Sequence, residues 1–281
     1  MPLIHLQIQK ERFGALFFAS IIRYKFVIFL NRLQAATRVA GLHFLFSVVV
    51  GLVSAALVFG LWYPYPYSEL SGGRGLFLLV MAVDVVCGPL LTLVLYNPTK
   101  PAAELWRDLS LVAVFQLAAL GYGLWMVSEV RPLFLVQEID RFKVIAAPNV
   151  GQSALSELPI GLKPRWWIGP VAVAIREPKN EDERKRVMFE SVQGGRDYAE
   201  RPDFYLPYIG ESALKSLKRA KPLSVFLQKQ PSQQAAAKKL ATEKGADIAQ
   251  WFYLPVVARQ DWVAVLDKRG QIQGFLKGDG F

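Results

Sequence analysis

Few residues in this chain have the types and spacing that chemistry needs. The most conspicuous is Asp84, near the middle of the apolar run Leu76 to Tyr96, LFLLVMAVDVVCGPLLTLVLY, with Gly88, Pro89 and Thr92 behind it. A carboxylate at the centre of a membrane helix costs about 2.5–3.5 kcal/mol to insert, so it faces a partner or a polar cavity. On a helix Asp84, Gly88 and Thr92 share one face. Gly88 and Pro89 also let another backbone approach and can kink the helix. This face is a candidate docking surface for a second membrane helix. The alternative is that Asp84 pairs inside its own bundle, with Gln116 of the next apolar run; both can hold at once. A proton relay is disfavoured, because no basic partner lies within a crossing.

The second half offers no recognisable catalytic set. It contains no GxSxG, HExxH, CxxC or P-loop pattern. Glu138, Asp140 and Asp261 read as turn or solvated residues, and Glu181 to Arg186 (EDERKR) as a solvated helix face with internal ion pairing. Two aromatic groups, Trp166–Trp167 and Tyr205/Tyr208, could line a peptide groove or belong to the domain core. Cys87 is the one cysteine, which excludes an intramolecular disulfide, and His5 and His43 are too few for a histidine-rich metal site. No cofactor is expected.

The elements that carry these residues follow from the apolar runs. Leu76–Tyr96 is flanked by Val39 to Leu61 and Leu109 to Val127, each near the roughly 20 residues a helix needs to cross a bilayer. With 53% apolar and 20% charged residues, the 281-residue chain is unusually apolar, and the excess lies in its first half. Residues 1–38 form a basic leader (Lys10, Arg12, Arg23, Lys25, Arg32, Arg38), read as an amphipathic surface helix rather than a membrane helix broken by Arg23 and Lys25. That leader places the N-terminus in the cytoplasm, and three crossings put the second half on the opposite side, in a bacterium the periplasm. A cleaved signal peptide is not expected, because the first run is too long and begins near residue 39. The formal charge of +10 is dispersed and explained by topology, so nucleic acid is not expected as a partner. Trp62, Tyr63, Tyr65 and Tyr67, broken by Pro64 and Pro66, read as an interfacial aromatic belt and turn.

From Arg131 the texture is that of a mixed domain. Strands are expected over Leu133–Ala146 (bent near Asp140), Ile168–Arg176, Gln250–Ala258, Trp262–Leu266 and Gln271–Leu276. A capping box at Asn180 and Glu183 starts a helix running to about Val192, and further helices are expected near Glu211–Ala220 and Pro231–Lys244, with a weak one at Ser153–Leu158. The fold class is therefore a membrane-anchored α+β protein. It comprises a leader (1–38), a three-helix transmembrane anchor (39–130) and an exterior domain (131–281) of four or five strands and three helices.

The string MAVDVVCGPLLTLVLYNPTK, preceded by WYPYPY and Gly72–Gly73, resembles the accessory membrane proteins encoded beside type IV pilins. The resemblance continues through Arg107–Asp108, Gln116, Tyr122–Gly123 and RPLFLVQEIDRFKV. It resumes at Arg176–Pro178, Gly194–Gly195, Pro202–Pro207, FYLPVVAR and WVAVLD, covering roughly residues 30 to 276; the leader before about Arg23 departs from it. The resemblance implies a bacterial inner-membrane protein that helps the major pilin reach stable, assembled fibres, with the pilin and other inner-membrane pilus proteins as partners. It supplies no catalytic residues. The competing functions are a structural part of the assembly platform and a membrane-bound envelope hydrolase.

Overall fold

In the computed structural model the backbone is described for residues 2–165, 167 and 169–281, and side chains for these except 2–19, 21 and 152. α1 (Pro2–Leu57) is one continuous helix, closed by a π-helical turn at Val58–Trp62. No backbone break separates the basic leader from the first apolar run. α3 (Gly73–Leu95) and α4 (Ala102–Glu129) follow. Among the described residues, three helical segments, Ile22–Trp62, Gly73–Leu95 and Ala102–Glu129, are long and apolar enough to cross a membrane, and the first part of the chain is read as a membrane anchor on that ground.

The chain divides into two units, one of residues 1–53 and 79–122, the other of residues 54–78 and 123–281. In the first, α1, α3 and α4 pack through small residues: Ala36 and Ala40 are buried, and Gly51 lies against Met81. Large apolar side chains such as Phe46, Leu79, Val86 and Phe115 point outward, as lipid-facing residues do.

The second unit is a mixed sheet between two layers. Its strands are β1 (Pro132–Gln137), β2 (Phe142–Ala146), β3 (Val171–Ile175), β4 (Tyr205–Pro207), β5 (Lys221–Pro222), β6 (Phe252–Val257), β7 (Trp262–Leu266) and β8 (Ile272–Lys277). The order is β4-β3-β1-β2-β6-β7-β8, with β5 paired to β6. β1–β3 and β2–β6 are parallel and the other pairs antiparallel. The expected bent strand over Leu133–Ala146 is a hairpin, β1–β2, because Glu138 to Arg141 closes a turn with Glu138 N–H donating to Arg141 C=O. β1 and β7 are buried along their whole length, which explains their unbroken apolar sequences, LFLV and WVAVL.

Among the described residues, six α-helices lie wholly in this unit: α2 (Tyr67–Leu70), α5 (Gln152–Glu157), α6 (Glu181–Val192), α7 (Glu211–Ser216), α8 (Leu223–Lys229) and α9 (Gln234–Lys244). α6 starts as expected, with the Asn180 side chain accepting from Glu183 N–H. α9 ends at Gly245, whose left-handed backbone (φ +61) suits glycine. α8 has no counterpart among the expected elements. Its Leu223, Phe226 and Leu227 pack with Ala237, Tyr253 and Val263 on one face of the sheet. The other face has an unexpected cover.

Candidate functional site

That cover is the connection between α1 and α3. Tyr67–Leu70 forms a short helix, α2, with Tyr67 and Leu70 buried in the same cluster as Leu135, Phe142, Leu254, Trp262 and Leu266. Leu70 C=O accepts from Arg259 N–H (2.9 Å) and Gln260 N–H (3.3 Å), in the β6–β7 turn. Tyr67 meets Phe275 edge-to-face at 5.8 Å, and Tyr65 meets Trp262 at 6.0 Å. Tyr63 is buried and donates from its hydroxyl to Val127 C=O at the end of α4. The aromatic cluster expected to form an interfacial belt is therefore largely protein core: Tyr63 and Tyr67 are enclosed, and Tyr65 alone of the three tyrosines is exposed. The reason is physical. Once Pro64 and Pro66 turn the chain out of helix, the rings reach the open face of an apolar sheet, and burying them there removes more surface from water than a headgroup layer would.

In the helical unit the polar residues converge. Gln116 Nε2 donates to Ser47 Oγ (3.1 Å) and to Asp84 C=O (2.9 Å), tying α4 to α1 and α3. Asp84 is 7% exposed and Thr92 1%, and Thr92 Oγ1 is 2.6 Å from His43 Nδ1. Gly88 is buried, and a Cβ there would overlap the Gln116 amide. Asp84, Gly88, Thr92 and Gln116 thus occupy one internal seam; Pro89 is half-buried beside it. At the end of α3, Arg32 donates from Nη2 to Val94 C=O (2.7 Å) and from Nε to Tyr96 C=O (3.3 Å).

Ser47 and His43 were not singled out from sequence. The signal was nevertheless there: His43, Ser47, Gly51 and Ser54 recur every third or fourth residue, the spacing of one helix face, and Ser47 and Ser54 are buried.

The aromatic candidates separate. Tyr205 and Tyr208 are core residues, which corrects the groove reading for this pair: Tyr205 donates to Ala199 C=O (2.5 Å), and Tyr208 donates to Gly270 C=O (2.6 Å) and lies 2.8 Å from Ser216 Oγ. Burial raises the pKa of both phenols, that of Tyr208 to about 12. Trp167 is half exposed, and Trp166 lies outside the described residues. Glu138, at the hairpin turn, has its carboxyl pKa raised by burial, an effect that the Lys143 charge opposes. Among the described residues, no group of three or more His, Cys, Asp or Glu is placed to hold a metal ion.

The family described as "Fimbrial assembly protein FimB" matches residues 31–72, the stretch from α1 through the inserted connection. "Fimbrial assembly protein, serogroup I" of Dichelobacter nodosus is 36% identical over 258 residues, covering 89% of this chain and 98% of that protein. The chain belongs to the fimbrial assembly protein family. The serogroup E1 fimbrial assembly protein of the same organism gives the same identity and coverage. The fimbrial assembly protein of serogroups C1 and C2 is 40% identical over 129 residues, 46% of this chain and 96% of that protein. No solved structure matches the chain. The near full-length match to other fimbrial assembly proteins spans both the helical unit and the sheet unit, so family membership rests on more than the anchor.

Proposed function

We propose that this protein is a membrane-anchored accessory of type IV pilus assembly that binds pilin and promotes its stability or its incorporation into fibres. The observation that carries this reading is the 36% identity to a fimbrial assembly protein across 98% of that protein's length. The basic leader holds the N-terminus in the cytoplasm, and three crossings carry the sheet unit into the periplasm. The action is by binding, which stabilises a client in proportion to occupancy, and not by turnover. A client helix seated on the Asp84 face would have to displace Gln116 from Ser47. The outer apolar face of α3, with Val83, Val86, Leu90 and Val94 exposed, is therefore the easier approach.

Deleting the gene and supplying different pilins tests this. The expected result is fewer surface fibres at unchanged pilin transcript, with rescue by an unrelated pilin. Failure with every pilin would point instead to a structural part of the assembly platform. Unchanged fibre number and pilin stability would overturn the pilus reading. Reporter fusions after Lys100 and Phe281 should report opposite compartments, and agreement between them would overturn the topology.

A further inference from the structure

The strand order places one loop of the sheet unit on the side from which the chain enters out of α4, whose last residues (123–129) belong to the same unit. β1 begins at Pro132, directly after α4 ends at Glu129, so the start of the strand lies only about 10 Å beyond the helix end. β3 runs parallel to β1 with Phe134 opposite Val171, so the chain entering β3 comes from the same side as α4. A close approach confirms the level: a Cβ on Gly169 would lie 2.6 Å from Pro64 Cγ, and Pro64 is two residues past the end of the first apolar span at Trp62.

The surface composition there is specific. Leu158 and Leu162 are buried and pin the loop to the sheet. Between and beyond them Ile160 is 77% exposed and Trp167 49% exposed, and Lys163 and Arg165 are exposed. An indole and an aliphatic side chain beside two cations match the boundary between acyl chains and anionic headgroups, where amphipathic rings settle and basic side chains meet phosphate. We propose that Ile160, Lys163, Arg165 and Trp167 form a headgroup-contact loop that seats the sheet unit on anionic phospholipid of the bilayer its own helices cross.

The structure supplies its own control. Ile139, in the β1–β2 turn, is also 77% exposed, and it sits at the other end of β1, about 20 Å farther from α4. Ile160→Cys and Ile139→Cys, each in a Cys87→Ser background, are labelled with an environment-sensitive fluorophore in the full-length protein. Both are reconstituted in nanodiscs of phosphatidylcholine with or without phosphatidylglycerol. At position 160 the expected results are strong quenching by headgroup-level spin-labelled lipid, several-fold protection from aqueous iodide, and an increase of both with phosphatidylglycerol. Adding Lys163→Glu and Arg165→Glu should abolish that dependence while the signal at position 139, open to iodide and insensitive to lipid quencher, stays unchanged. Equal quenching at the two positions would overturn the contact. Quenching at 160 that ignores phosphatidylglycerol would overturn the recognition of anionic headgroups.

Discussion

Replacing Leu70 by alanine tests whether the connection between α1 and α3 is part of the sheet unit's core. Leu70 is fully buried among Leu135, Trp262, Leu266 and their neighbours. Its backbone carbonyl bonds to Arg259 and Gln260 survive the substitution, so the variant isolates the side chain. A buried leucine cut to alanine costs about 2–5 kcal/mol, the spread reflecting how far the cavity collapses. For domains of 150–250 residues each kcal/mol moves the midpoint by about 2–4 °C, so a loss of roughly 4–20 °C is expected. The assay is thermal unfolding of the full-length protein in nanodiscs, followed by tryptophan fluorescence, because Trp251 and Trp262 are both buried in the sheet unit. Limited proteolysis of residues beyond 131 gives a second readout. An interfacial belt residue would change stability by no more than about 0.5 kcal/mol, the usual range for surface positions. A midpoint within about 2 °C of wild type, with unchanged proteolysis, would refute the inserted-core reading. Tyr65→Ala provides the internal scale: Tyr65 is 71% exposed and touches Trp262 only edge-to-face, so about 0.5–1.5 kcal/mol is expected from the ring pair.

Two further perturbations follow from the contacts. Glu183 accepts from Nη1 and Nη2 of Arg176 (2.9 and 3.0 Å) and from the Lys179 N–H (2.5 Å), and the Arg176 bond chiefly lowers its pKa from 4.5 to about 2. A lowered carboxyl contributes stability that is complete above the unfolded value and fades as pH falls through the folded one, so acid titration from pH 4.5 to 2 should weaken the wild type. Glu183→Gln should flatten that part of the curve; an unchanged slope would sink the assignment. In the anchor, Gly88→Leu should drive Gln116 away from Ser47 and Asp84 and lower the protein's membrane abundance, whereas Leu90→Ala on the exposed face should not; equal abundance of the two variants would refute the seam.

What was legible in the sequence follows the range of the interaction responsible. Apolar run length is local, and it located the membrane-spanning segments. The Asn180–Glu183 cap and the Gly245 stop are also local, and α6 starts and α9 ends where those residues require. α8 shows the limit of this approach. Leu223, Phe226 and Leu227 carry the helical spacing and are all buried, but seven residues after a proline give too few turns for the period to stand out. The hairpin at Glu138–Arg141 was hidden because two buried strands joined by a tight turn read as one long apolar strand.

The connection at residues 62–72 is the instructive failure. Its tyrosines, tryptophan and prolines suit a headgroup layer and a protein core equally well, since both offer an apolar surface with polar groups at its edge. Composition cannot choose between them. The choice is made by Arg259 and Gln260, whose N–H groups reach Leu70 from the far end of the chain, and by Phe275 and Trp262, which meet the rings. The consequence is one of domain bounds: a sheet unit made without residues 54–78 would lack Tyr67 and Leu70, two members of its own core.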